Sequence, residues 1–154
     1  MQMIRFSKGD MFSEKNCALV NPCNCIGVLG AGVAKEISNQ YPEATDAYKR
    51  LCGLKWMKPG WVEVEQCNPG KNADFIVHFP TKIHWKDPSE YEYVKLGLDS
   101  LWFVTKECGF KKLCIPALGC GLGGLKWEVV KCMIEQSLYS LNETEIIVFE
   151  PKGF

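Results

Sequence analysis

The chain has 154 residues, enough for one domain, 1–154, with a substantial core. Its 18 basic and 18 acidic side chains cancel to a formal net charge of +0, which excludes the global basic field behind strong non-specific nucleic-acid binding but leaves local contacts open. No apolar run approaches the ~20 residues of a membrane span, and Met1-Gln2-Met3-Ile4-Arg5 enters a strand-like start with no secretory pattern, so a soluble protein is expected.

Ile4-Arg5-Phe6 reads as a short strand closed by Lys8-Gly9-Asp10. Asp10 follows a glycine turn, where it suits a helix or turn cap or an acceptor for an adenine amino group; nothing local decides between them. Cys17-Ala18-Leu19-Val20 is an apolar run of the kind that forms a buried strand. Asn21 and Asn24 follow, then Gly27, Gly30-Ala31-Gly32 and an amphipathic segment beginning Val33-Ala34, with Ile37 and Tyr41 on the same helical face. Strand, glycine-rich loop and helix in that order favour phosphate, because free loop amides and a helix N-terminus converge there. An ordinary βα turn would carry the same glycines.

Pro42 stops the first helix, and a second is predicted over 43–52, ended by Gly53. Trp61-Val62-Glu63-Val64-Glu65 alternates as a half-buried strand after the turn at Pro59-Gly60. Asn68-Pro69-Gly70-Lys71-Asn72 is a turn, and Phe75-Ile76-Val77-His78-Phe79 a buried strand stopping at Pro80. Thr81-Lys82-Ile83-His84-Trp85-Lys86 then crowds two lysines, a histidine and a tryptophan at a strand exit. Such loops gather binding and catalytic groups. The segment reads as a solvated basic loop with one packed tryptophan, or as a reactive amine beside an aromatic platform able to stack single-stranded nucleic acid.

A long helix is predicted over 89–108 with Ser89 as its cap and Gly109 as its stop. Tyr91, Val94, Leu98, Leu101 and Trp102 follow helical spacing and are expected to face the core. Leu113-Cys114-Ile115-Pro116-Ala117-Leu118 is a further strand entering Gly119-Cys120-Gly121-Leu122-Gly123-Gly124, and a helix begins at Trp127 and runs to Tyr139. Glu145-Ile146-Ile147-Val148-Phe149 is the last strand before the tail that ends at Phe154. Two strand–loop–helix units in one small domain predict two phosphate cradles at the carboxyl edge of one sheet, suited to a diphosphate-linked ligand. Strands alternating with helices predict a three-layer α/β/α domain with a mixed central sheet.

Nine cysteines, no Cys-x-x-Cys and two histidines offer no metal-site spacing, and no metal or cofactor is expected. Cys23 and Cys25 read as a redox or metal pair, or, as the stronger reading, as small residues lining a tight loop. A reducing cytosol suits this cysteine content.

With these segments placed, the whole chain resembles a macro domain. The likeness rests on Gly9-Asp10, on Asn21 and Asn24 before Gly30-Ala31-Gly32-Val33-Ala34, and on Pro116-Ala117-Leu118-Gly119-Cys120-Gly121. Phe79-Pro80-Thr81-Lys82 with His84-Trp85, and the run from Gly119 to Trp127 through Leu122, Gly123 and Lys126, are similar to the DarG antitoxin branch. That resemblance implies a single macro domain that binds ADP-ribose and removes it from thymidine in single-stranded DNA, as a cytoplasmic monomer. It implies that Asp10 binds adenine and that Gly9, Asn21 and residues 30–34, with Pro116 and 119–123, hold ADP-ribose. Asn24 would orient the distal ribose and Lys82 would attack it, while His84, Trp85 and Lys86 would meet nucleic acid. A related protein-directed glycohydrolase pairs its lysine with an aspartate in the second loop; here that position is Gly123, which fits the DNA-directed branch better. The family also holds hydrolases of protein-linked ADP-ribose, phosphatases of ADP-ribose 1″-phosphate and non-catalytic readers.

Overall fold

The computed structural model describes residues 4–152; Met1-Gln2-Met3 and the end of the Phe154 tail lie outside them. Six strands form one sheet: β1 (Ile4–Ser7), β2 (Cys17–Cys23), β3 (Glu63–Gln66), β4 (Ala73–Pro80), β5 (Lys112–Ile115) and β6 (Glu145–Phe149). Their order is β1-β6-β5-β2-β4-β3. Among the described residues the β3–β4 pair alone is antiparallel and the other strand pairs are parallel. The sheet is therefore mixed, as expected.

Four helices cover it: α1 (Gly32–Gln40), α2 (Asp46–Gly53), α3 (Tyr91–Cys108) and α4 (Trp127–Leu138). Period-two alternation sends neighbouring strand residues into two cores. Ala18, Val20, Val77, Phe79, Leu113, Ile115, Ile146 and Val148 pack with Val94, Leu98 and Leu101 of α3 and with Val130 and Ile134 of α4. Leu19, Ile76, Cys114 and Ile147 on the opposite face pack with Ile37 of α1 and Tyr41. Burial on both faces explains why these strands read as continuous apolar runs.

Several boundaries differ from the sequence reading. Residues 43–52 are not one helix. A 3-10 turn at Glu43–Thr45 precedes α2, because Thr45 turns its hydroxyl back to the Pro42 carbonyl at 2.7 Å. The strand predicted from Trp61 starts at Glu63, since the Trp61 indole stays near solvent and donates to Glu63 Oε1 at 3.1 Å. β2 continues through Asn21 and Pro22 to Cys23, and β4 takes in Pro80, opposite Cys23. β5 ends at Ile115 because Pro116 has no amide to continue the ladder. Ser89 does not cap α3: Glu90 holds the N-cap position without a side-chain bond. Tyr91 is exposed rather than in the core, and its hydroxyl accepts from the Lys126 amide at 3.0 Å.

Candidate active site

β2, β4 and β5 run in parallel as neighbours, so Asn24, Thr81-Lys82 and Pro116 leave the sheet at one edge. This carboxyl edge is where open α/β sheets bind ligands. The first loop is folded by Asn24. Its Oδ1 accepts from the amides of Ile26, Gly27 and Val28 at 3.0, 3.1 and 3.3 Å, and its Nδ2 donates to the Val28 carbonyl at 2.8 Å. One Asn24 side chain thus closes the whole turn and carries a second Nδ2 hydrogen beyond it.

After that turn, Ala31 is extended (φ −154°) and serves as N-cap of α1 with no side-chain bond. The first amides of α1, on Gly32, Val33 and Ala34, therefore face the loop without intrahelical acceptors. Gly32 adopts φ +57°, with open space around the position a Cβ would take. Unpaired amides and the positive end of the helix dipole are features that favour an anion.

The second loop is tied by Cys120 N to the Ala117 carbonyl (3.1 Å), Gly124 N to Gly121 (3.2 Å) and Leu125 N to Gly119 (2.9 Å). The amides of Gly121, Leu122 and Gly123 take no part in those bonds. Leu122 stands 84% exposed at the tip. Gly123 is tightly packed: a Cβ there would lie 2.3 Å from Ser89 Oγ and 2.5 Å from the Gly119 carbonyl oxygen. Ser89 is buried, and its hydroxyl has no partner among the described residues.

The segment after β4 bridges both loops. Thr81 N donates to the Cys23 carbonyl at 2.9 Å, and Cys25 N donates to the Ile83 carbonyl at 2.8 Å. The Cys25 thiol points to the Lys82 carbonyl at 3.6 Å. At its far end Ser89 N donates to the Gly123 carbonyl at 3.0 Å. Lys82 is half-buried between these anchors, so the edge that carries both cradles also carries an amine on a fixed backbone.

Trp85 projects beyond it, 51% exposed. Lys86 Nζ lies 5.2 Å from the Trp85 ring centroid and the His84 ring 5.6 Å away, a cation held on an aromatic face. His84 Nδ1 accepts from the Lys86 amide at 3.1 Å and so fixes the turn.

Two predicted ligand residues carry structural bonds. Asp10 Oδ1 accepts from Phe12 N at 2.9 Å and caps the 3-10 turn Met11–Ser13; the residue is exposed and its second carboxylate oxygen is not used in the cap. Asn21 is wholly buried on β2, 3.0 Å from His78 Nδ1. Gly9 sits beside Asp10, its amide on Ser7 Oγ at 3.0 Å. Cys23 and Cys25 pack with Tyr48, Cys52 and Met57 beneath the first loop. Burial, then the neighbouring Cys52, pushes the Cys25 thiol up to about 11, and burial with Glu128 pushes Cys120 to about 11. Both stay thiols at neutral pH and line the loops as small apolar groups.

Sequence reasoning missed Tyr48, Glu65 and His78, which form one polar chain under the first loop, Tyr48 and His78 wholly buried and Glu65 half-buried. The available signal was His78 itself, a polar ring in the middle of an apolar strand, since a buried polar group requires partners.

A family model for the Macro domain matches residues 20–134. A Thermus aquaticus protein named DNA ADP-ribosyl glycohydrolase is 37% identical over 149 residues, covering 97% of this chain and 41% of its own length. The macrodomain of Mycobacterium tuberculosis DarG superposes with a TM-score of 0.94 at 33% identity, over 99% of this chain and 100% of that one. Thermosipho africanus DarTG in complex with ADP-ribose gives 0.87 at 29% identity, over 100% of this chain and 43% of that one. The chain spans about two-fifths of the length of the curated DNA ADP-ribosyl glycohydrolases it matches. Two glycine cradles at one sheet edge, the sheet order that places them and a family match across most of the sequence agree: the chain belongs to the macro domain family.

Proposed function

We propose that this domain binds ADP-ribose and removes it from thymidine in single-stranded DNA, acting as a cytoplasmic monomer through Lys82. The observation that carries this reading is the bridge of residues 81–89, which joins the amine to the Asn24 turn on one side and to the second glycine loop on the other. The relatives named DNA ADP-ribosyl glycohydrolase support the substrate class.

The diphosphate lies on the open amides of 32–34 and 121–123, adenine reaches the free oxygen of Asp10, and the second Nδ2 hydrogen of Asn24 meets the distal ribose. Lys82 attacks the anomeric carbon as a free amine. The carbon–nitrogen bond to thymine breaks, its electron pair leaves on the base, and the base takes up the proton that the attacking nitrogen sheds. A lysyl adduct remains; water adds to that carbon and releases ADP-ribose and the amine. Trp85, with Lys86 on its ring, stacks a flanking base.

Turnover of an ADP-ribosylated thymidine oligonucleotide is compared with that of ADP-ribosylated protein and ADP-ribose 1″-phosphate. The oligonucleotide is expected to be the preferred substrate; faster turnover of either other compound moves the assignment to that activity, and binding without turnover of any makes the domain a reader. Lys82→Ala and Lys82→Arg are expected to lose nearly all turnover and to keep ADP-ribose binding, because arginine retains charge but stays protonated. The glycosylamine on Lys82 can open its ribose ring to an imine, which borohydride is expected to reduce to a stable adduct. Substantial turnover in Lys82→Arg refutes the nucleophile. Trp85→Ala is expected to raise KM for the oligonucleotide more than it lowers kcat.

A further inference from the structure

A polar chain runs beneath the Asn24 turn, apart from the groups given roles above. Its far end is Glu65 on β3. The Glu65 carboxylate accepts from the amides of Ala47 at 3.1 Å and Tyr48 at 2.9 Å, so it satisfies the first turn of α2 from another element. Glu65 Oε2 also lies 3.0 Å from His78 Nε2, which is 2.7 Å from the Ala44 carbonyl. Both neighbours are acceptors, so Nε2 carries a hydrogen, and Nδ1 is left to meet the Asn21 amide at 3.0 Å.

The His78 ring stacks on Tyr48 with centroids 4.8 Å apart and planes 19° from parallel. Tyr48 is wholly buried, and its hydroxyl reaches Asn24: 2.8 Å to the carbonyl oxygen and 3.3 Å to Oδ1. Burial, then the Cys23 and Cys52 thiols, hold the phenol well above its ordinary range, so it keeps its proton and donates.

Apolar side chains would fill this volume at less desolvation cost. What they would not do is hold the Asn24 carbonyl and amide in one orientation. That orientation reaches the reacting amine in two steps, because Cys25, the next residue, donates to Ile83 and directs its thiol to the Lys82 carbonyl.

We infer that Tyr48 is a positioning residue of this site: braced by His78 and Glu65, its hydroxyl sets the Asn24 turn and, through Cys25, the place of Lys82. The kinetic part rests on the reading given under Proposed function; the part concerning the turn does not.

Tyr48→Phe removes the hydroxyl and keeps the stacked ring. In the folded variant, kcat on the ADP-ribosylated thymidine oligonucleotide is expected to fall by about tenfold or more, with KM and the ADP-ribose Kd within about twofold of wild type. Amide hydrogen exchange at Ile26, Gly27 and Val28 is expected to speed up about tenfold, while the interiors of β2 and β5 stay protected. Glu65→Gln sets an amide N–H against the donors on Ala47, Tyr48 or His78, and is expected to give the same local exchange and the same kcat loss. It serves as the second variant where Tyr48→Phe does not fold. Unchanged kcat overturns the inference, whether or not exchange at 26–28 changes. A kcat loss without faster exchange at 26–28 overturns the route through Asn24, and a uniform rise in exchange with kcat intact reduces Tyr48 to a stability role. A wild type inactive on the oligonucleotide counts against the proposed substrate alone. The kcat ratio is then taken on whichever ADP-ribosylated compound it does turn over, and with none turned over the local exchange pattern decides.

Discussion

Gly123 offers the sharpest mechanical test of the second cradle. A Cβ built there would lie 2.3 Å from Ser89 Oγ, 2.8 Å from Ser89 Cβ and 2.5 Å from the Gly119 carbonyl oxygen. Rotation of Ser89 relieves the first contact, but the carbonyl belongs to the loop backbone and cannot turn away alone. Gly123→Ala therefore forces the loop off Ser89 by about 1 Å, which costs roughly 1–3 kcal/mol as overpacking. The shift moves the amides of 121–123 away from the phosphate. Losing one charge-assisted bond of about 1.5–3 kcal/mol lowers ADP-ribose affinity by roughly 10- to 100-fold. Calorimetry on wild type, Gly123→Ala, Ser89→Gly and the double variant reads the effect and its coupling. Ser89→Gly restores part of the loss by removing two of the three close atoms, and the Gly119 carbonyl preserves the remainder. Unchanged affinity in folded Gly123→Ala refutes the reasoning, because this loop would then not hold the ligand. The same crowding bears on the aspartate that the protein-directed relative carries here: Gly123→Asp is expected to disrupt the loop rather than install that enzyme's mechanism.

Asp10→Asn retains an Oδ1 acceptor for Phe12 N and loses the charge, so it is expected to keep its melting temperature while ADP-ribose binding weakens by roughly 1–3 kcal/mol; ribose 5-phosphate, which lacks adenine, should be indifferent, and equal losses for both ligands would leave Asp10 as a cap alone. Glu65 gives a pH dependence of stability. Burial pushes its carboxyl up, but the bonds from His78 and from the Tyr48 and Ala47 amides outweigh it and hold the folded value below the ordinary 4.5. A depressed carboxylate contributes fully above its unfolded value and loses that contribution as pH falls through the folded one. Urea midpoints of wild type and Glu65→Gln are therefore expected to differ at neutral pH and to converge below about pH 4.5; a gap constant down to pH 3 would refute the linkage.

The fold was largely legible because both faces of the sheet are buried. Leu113-Cys114-Ile115 and Ile146-Ile147-Val148 feed the two cores from alternate positions, so each strand reads as an unbroken apolar run. The glycine loops were legible for a related reason: Gly32 at positive φ and Gly123 against Ser89 occupy backbone states where a side chain is disfavoured or excluded. Misread positions were those decided by a distant partner. Ser89 has the composition of a cap, but the approach of the second loop buries it. Tyr91 has core spacing, but its hydroxyl is spent on the Lys126 amide. Glu65 looks like the outward residue of an alternating strand, and only the arrival of α2 turns it into a cap for another element.

The bonds that tie the second loop and anchor the two ends of the 81–89 segment run between main-chain atoms, which explains why residue identity says little about them. β2 lies between β4 and β5, so its exit residue adjoins both the Lys82 segment and the second loop. Parallel strands stand ~4.8 Å apart, which sets the exits of β4 and β5 about 10 Å from each other across Asn24. A loose connection could not hold an amine and a phosphate loop at that spacing. The 81–89 segment can, because Thr81 N and the Ile83 carbonyl bind the β2 side while Ser89 N binds Gly123. Each of those three contacts uses only main-chain atoms, and within the segment only His84 adds a side-chain bond to the backbone, from the Lys86 amide to its Nδ1. Lys82, Trp85 and Lys86 are then free to be chosen for chemistry and for the partner they meet, and a substitution among them is expected to change turnover or substrate preference before it changes the fold.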